Sequence, residues 1–318
     1  MTESTVPELA PPVVAVGRQQ RVGSRRHKLA PYFLTLPTIL YVLALVIYPL
    51  IFSILIAFRR FDPAKGLAIS KMPFIGLANF GRVLGDSALW VSLGNTFYIV
   101  VLAVIIEFVF GLGLALVLNH KAARLPGLAL TLILTPMILP MVAAGLIWRM
   151  LYHLDYGAVN AFIRLFGLPG IDWLGDPKWV RAAIVLVDAW QWTPFVVLIL
   201  YAGLRALPEE PFEAAKVDGA SALQTLWRIT LPLLRWPIMI VLLIRVTDAF
   251  KTFDYVAALT GGGPGYSSQT LSFYTYLRGF KRFELGEAAA VSWLLLLIVY
   301  AACMLILAVM RPKQGEAF

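Results

Sequence analysis

Arg245, Asp248, Lys251 and Asp254 crowd the far half of a stretch that begins as an uninterrupted apolar run. Charges in such surroundings are costly, so they face either a water-filled path or a partner of opposite sign. Two readings are open. The four groups line a route for a polar solute, or Arg245 and Asp248, three residues apart on one helix face, simply pair with each other. Trp190 and Gln191, with Asp188 close by, break an earlier apolar block in the same way. Aromatic faces beside amides and carboxylates suit a hydroxyl-rich solute, whose C–H faces stack on rings while its hydroxyls fork to polar groups. Trp190, Gln191, Arg245, Asp248 and Asp254 are therefore the expected path residues. Glu107, isolated in another block, reads as a buried structural hydrogen-bonding group.

Other chemistries find no support in the residue pattern. The run from Gly261 to Ser268 is rich in glycine but lacks the lysine that must follow the second glycine of a phosphate-binding loop. No nucleophile lies at a plausible spacing from a base, so no catalytic residue is assigned. His27, His120 and His153 are scattered, with no metal-ligand spacing, and the single cysteine, Cys303, excludes an internal disulfide.

The elements that must carry these residues are membrane helices. Sixty per cent of the 318 residues are apolar and 14% charged, against about a quarter charged in soluble domains. A helix needs about 20 predominantly apolar residues to cross the hydrocarbon core, because its backbone must be satisfied internally. Six stretches meet that length, near 29–58, 91–118, 128–151, 182–204, 233–259 and 288–310. The expected fold class is an all-α integral membrane protein of six transmembrane helices. Residues 1–28 read as a basic, disordered tail before a retained first span, 29–310 as the membrane domain and 311–318 as a second tail. The net charge of +9 is spread over connecting loops without interleaved aromatics, which argues for membrane lipid rather than nucleic acid as its partner. Lys and Arg divide almost evenly between the two sets of loops, but the short segments 18–28, 121–124 and 311–313 are densely basic, which favours both termini inside.

One polar segment, 207–232, stands between the fourth and fifth blocks. Pro211 suits a helix start, Glu213 favours the first turn through the helix dipole, and Ala214 and Ala215 give a small surface that another protein can approach closely. Gly219 permits a turn that other residues resist. A second short helix follows from Ala220 to Thr230, with Leu223, Leu226 and Trp227 on one side and Gln224 and Arg228 on the other, and Pro232 is expected to open the next span.

The spacing Glu213-Ala-Ala, three residues, Gly219, nine residues, Ile229, one residue, Leu231-Pro232 resembles in full the cytoplasmic signature of permeases from binding-protein-dependent ABC importers. The likeness extends to their carbohydrate-importer, maltose-permease-like branch through Tyr48-Pro49, Gly76-Leu-Ala-Asn79-Phe80, Trp190, Pro194-Phe195, Phe253-Asp254 and Leu259-Thr-Gly-Gly-Gly-Pro264. The resemblance implies a second homologous permease, two ATPase subunits that hold ATP and Mg, an external solute-binding protein and a sugar or related polyol as cargo. It implies no cofactor on this chain. It also implies that Glu213, Ala214, Ala215, Asp218 and Gly219 form a coupling helix docked on an ATPase, which puts that segment and both termini in the cytoplasm of a cell whose inner membrane the chain spans. An ion-coupled secondary transporter of a small polar solute would favour internal inverted repeats, and none is visible. A membrane-embedded transferase would want an acidic metal-binding cluster, and Glu209, Glu210 and Glu213 are better explained by the coupling motif.

Overall fold

The computed structural model describes residues 30–311, apart from 63–65, 67–68 and 121–124. The two tails expected at 1–28 and 311–318 lie outside the described residues, save for Arg311. Among the described residues all regular elements are helical, and a lone antiparallel bridge joins Arg59 to Phe74. The chain divides into two units at Phe52 and Ser53.

The first unit comprises α1 (Ala30–Val42), a π-helical turn (Leu43–Ile47) and the beginning of α2 (Tyr48–Ala57). Tyr48 and Phe52 stack one turn apart, with ring centres 6.1 Å from each other.

The second unit continues through α3 (Ala78–Leu84) into α4 (Ser87–Asn119). Asp86 caps α4 by accepting from the Ala88 N–H at 2.9 Å. With 33 residues, α4 is roughly 50 Å long and outreaches a hydrocarbon core of about 30 Å. The third apolar block, expected as one span, is instead α5 (Pro126–Ile138) and α6 (Met141–Leu151), which meet at 93°. The cause is local: Pro140 forces Leu139 into extended backbone, φ −70° and ψ 137°, and ends the helix there. After α7 (Ala158–Leu165), the long helix α8 (Val180–Arg205) packs along α4.

The polar segment folds as α9 (Glu210–Val217), a turn at Gly219, then α10 (Ala222–Thr225), a π-helical turn (Leu226–Thr230) and α11 (Leu231–Leu233). A 70° bend at Leu234 leads into α12 (Arg235–Phe250). Pro232 thus lies before the bend and does not open the span as expected. Pro237 sits in the first turn of α12, where its missing N–H costs nothing. The fifth block also stops short of the expected residue 259: α12 ends at Phe250, and α13 (Asp254–Leu259) is a separate element. The chain closes with α14 (Leu271–Tyr276), a π-helical turn (Leu277–Lys281) and α15 (Leu285–Met310). Among the described residues four helices are long and apolar enough to cross a membrane, or up to six where each bent pair is one span.

One apolar core holds α4, α8 and α12 together through Ala115, Val196, Leu200, Leu204, Leu234, Ile238 and Val241. A second gathers Ile99, Ala103, Ala144, Ile184, Val187, Tyr255 and Val256 and joins α4 and α8 to α6 and α13. Gly203 lets α8 reach α12: a Cβ there would meet the Pro237 ring at 2.8 Å.

Candidate functional site

Arg245 is 1% exposed and neutralised from two other helices. Its Nε donates to Glu107 Oε2 at 2.6 Å and its Nη2 to Glu107 Oε1 at 2.7 Å, a bidentate pair between α12 and α4. The same Nη2 donates to Asp188 Oδ2 on α8 at 3.0 Å. The Trp192 ring lies against the guanidinium, 4.9 Å from centroid to Cζ. Sequence proximity suggested Asp248 as the partner of Arg245. In the fold Asp248 instead pairs with Lys251 at 2.8 Å, both partly exposed at the end of α12. Glu107 is fully buried, as expected from its isolation in an apolar block, but no local spacing pointed to its partner.

A neutral network extends from this triad. The Trp192 indole N–H donates to the Tyr255 hydroxyl at 3.2 Å, and that hydroxyl donates to Gln191 Oε1 at 2.8 Å. Gln191 Nε2 in turn donates to the Leu139 carbonyl at 2.6 Å. Gln191 is therefore buried with both ends of its amide engaged inside the protein. Removing one member of a buried, hydrogen-bonded charge pair costs about 3–5 kcal/mol, because the partner is left uncompensated.

Trp190 faces the other way. It is 36% exposed and borders an apolar cavity of about 560 Å³ lined also by Phe110, Ile133, Pro136, Trp148 and Tyr152. Trp148 meets it edge to face at 5.4 Å, and the buried Trp148 indole N–H has no hydrogen-bond partner among the described residues. Asp254, half-buried, opens α13. The structure thus brings Gln191 and Arg245 into one buried network, leaves Trp190 on the cavity beside it, and sets Asp248 in the last turn of α12 and Asp254 at the start of α13.

The loop after α13 is held from α4. Asn95 Nδ2 donates to the carbonyls of Tyr266 and Gln269 at 2.7 and 3.1 Å, and Thr96 Oγ1 accepts from the Leu271 N–H at 2.9 Å. Sequence reasoning missed both residues, since a lone Asn-Thr pair in an apolar helix carries no distinctive spacing. At the same end of α4, Arg278 bonds to Asp86, Glu284 and Glu287, and Arg82 pairs with Glu287 at 3.0 Å. Burial acts to raise the Asp86 carboxyl, but the Ala88 N–H, the Tyr274 hydroxyl and Arg278 outweigh it and hold the group below its ordinary value.

On the opposite side of the 70° bend, α9 presents Glu213, Ala214 and Asp218 to solvent while Ala215 is buried. Gly219 has φ +72°, and the Ala220 N–H closes on the Ala215 carbonyl at 2.9 Å, the left-handed exit of a helix. Ser221 and Gln224 then form a capping box, a signal legible in the sequence but not used there. Leu223 and Trp227, on the apolar side of this second helix, are each 65% exposed, and Val217 is 88% exposed.

These features define a polytopic α-helical membrane protein with a buried charge cluster between its helices and an exposed helix-turn-helix segment. The chain belongs to the family of binding-protein-dependent transport system inner membrane components, whose model matches residues 107–311. It is 34% identical over 289 residues to the trehalose/maltose transport system permease protein MalF of Thermococcus litoralis, covering 89% of this chain and 94% of the relative. It is 32% identical to the sulfoquinovosyl glycerol transport system permease protein SmoG of Agrobacterium fabrum, with 90% and 92% covered. Its fold is similar to that of a chain from a bacterial ABC transporter for the acidic polysaccharide alginate, with a TM-score of 0.78, 22% identity, and 91% of this chain and 98% of that one covered.

Proposed function

We propose that this chain is one permease subunit of an ATP-driven importer for a sugar or related polyol, working with a second homologous permease, two ATPase subunits and an external solute-binding protein. ATP and Mg sit on the ATPase subunits, and this chain holds no cofactor. Each bent helix pair counts as one span, giving six, with both termini and the segment 207–232 in the cytoplasm. The observation that carries the reading is the projecting α9, whose Glu213, Ala214, Asp218 and Gly219 are exposed and whose exit is fixed by the positive φ of Gly219. Exposed Val217, Leu223 and Trp227 give an ATPase subunit apolar surface to cover.

The printed names of the relatives support a carbohydrate cargo. Trp190, with Asp248 and Asp254, supplies the exposed ring and carboxylates that suit hydroxyl-rich solutes. Gln191 and Arg245 lie buried between the helices that carry them. Because Arg245 is matched by two carboxylates and Lys251 by Asp248, neither favours an acidic sugar over a neutral one. The test is co-purification with the partner subunits, followed by ATP-dependent uptake of radiolabelled maltose and trehalose in proteoliposomes. Binding-protein-stimulated hydrolysis with uptake supports the reading; a chain that captures no ATPase subunit overturns it.

A further inference from the structure

We propose that Arg245 is a positioning residue that locks α12 to α4 and α8, so that movement received by the segment 207–232 passes to the wall of the solute path as a single body. The inference rests on the importer reading and adds a route for the motion. The segment that ends in α11 joins α12 directly through the 70° bend at Leu234, with no loop between them to absorb displacement. Near the bend, α12 is already held to α8 by the close approach of Gly203 to Pro237 and by the core of Leu200, Leu204, Leu234 and Ile238.

Apolar packing of this kind tolerates sliding in a bilayer, because no polar group is exposed when one helix shifts along another. Arg245, about 15 Å along α12 from its first residue, removes that tolerance. Its planar fork meets both oxygens of Glu107 at 2.6 and 2.7 Å and reaches Asp188 at 3.0 Å. A displacement of one helical residue would separate three charged hydrogen bonds at 1% exposure or close to it, where water cannot replace them. Trp192 closes the remaining face of the guanidinium and, through Tyr255 and Gln191, ties the lock to α13 and to the break at Leu139. Trp190 and Gln191 lie two and three residues beyond Asp188 on α8, so the wall of the cavity moves with the lock.

The experiment uses the complete transporter in proteoliposomes, with Cys303 replaced and spin labels on Val109 of α4 and Ile240 of α12, both exposed. The distance between the labels is measured without nucleotide and after trapping with ATP and vanadate. In the parent chain one narrow distribution is expected in both states. In Arg245→Lys, which keeps the charge but loses the fork, the distribution is expected to broaden or shift by about 3 Å, the rise of two helical residues, while ATP is still trapped. Glu107→Gln, close in shape and without the negative charge, carries the same expectation where the lysine variant does not assemble. An unchanged narrow distribution in the variants overturns the proposal, as does a parent chain whose distance itself changes on trapping. Loss of assembly in both variants overturns it in favour of a folding role alone. A parent complex that traps no nucleotide counts against the importer reading instead, and the lock is then judged from the nucleotide-free distributions.

Discussion

Gln191 on α8 donates its side-chain amide to the Leu139 carbonyl at 2.6 Å, the point where the third apolar block breaks. Pro140 stops α5 at Leu139, and a carbonyl left bare at a helix end within a membrane must find a donor. Gln191 supplies it and is itself fixed by the Tyr255 hydroxyl.

Replacing Gln191 by leucine therefore strands the Leu139 carbonyl and the hydroxyl proton of Tyr255, whose oxygen still accepts from Trp192. The expected cost is about 1–3 kcal/mol for each buried group left unsatisfied, read as a lower unfolding temperature of the detergent-solubilised complex. A thermal scan that matches the parent chain would show that the break is held elsewhere.

At Gly219 an added Cβ meets no atom within 4 Å, so substitution there is resisted by backbone conformation and not by collision. Asn, which tolerates left-handed backbone, is expected to retain most uptake; Val, a β-branched residue, is expected to abolish it at a strain of about 1–3 kcal/mol. Equal activity of Gly219→Asn and Gly219→Val would show that the turn is not required.

Trp190 offers its ring to the cavity and meets Trp148 edge to face at 5.4 Å. Trp190→Ala should raise the apparent KM for sugar several-fold with assembly intact, and Trp190→Phe should raise it less, because a ring still stacks. Identical uptake kinetics in all three chains would remove Trp190 from the path.

Asp86 has a folded-state pKa below its ordinary value of 3.8. The unfolded chain therefore binds more protons in that window, and stability rises with pH across it. The contribution is complete above about pH 5 and is lost as pH falls through the lower, folded value. Asp86→Asn should lower stability at neutral pH and flatten the acid limb of the unfolding curve; an acid limb as steep as that of the parent chain would disprove the assignment.

Topology is checked by labelling intact cells with an impermeant thiol reagent after replacement of Cys303. Cysteine at Ser70 or Ser267 should react, and cysteine at Ser221 should be protected. The reverse pattern would turn the chain over in the membrane.

The apolar blocks and the Glu213 to Pro232 spacing were legible in the sequence because both are local: hydrocarbon transfer depends on each residue's own chemistry, and a short helix is specified by its starts, stops and turn glycine. The 93° break was half legible. Leu139-Pro140 stands in plain view, but apolarity is blind to backbone direction, so the block read as one span. The partners of Arg245 were not legible at all. Local rules look three or four residues along a helix and find Asp248; Glu107 and Asp188 lie 138 and 57 residues away. Only the packing of α4, α8 and α12 brings those carboxylates within reach, and once it does, a bidentate pair in a dry interior is far stronger than a partly exposed neighbour on the same helix. The sequence by itself determined a membrane chain with a polar helix-turn-helix segment between two apolar blocks. Tertiary structure decided which of its intramembrane charges reach solvent and which are matched inside the wall, because that depends on distances between helices, which no single helix encodes.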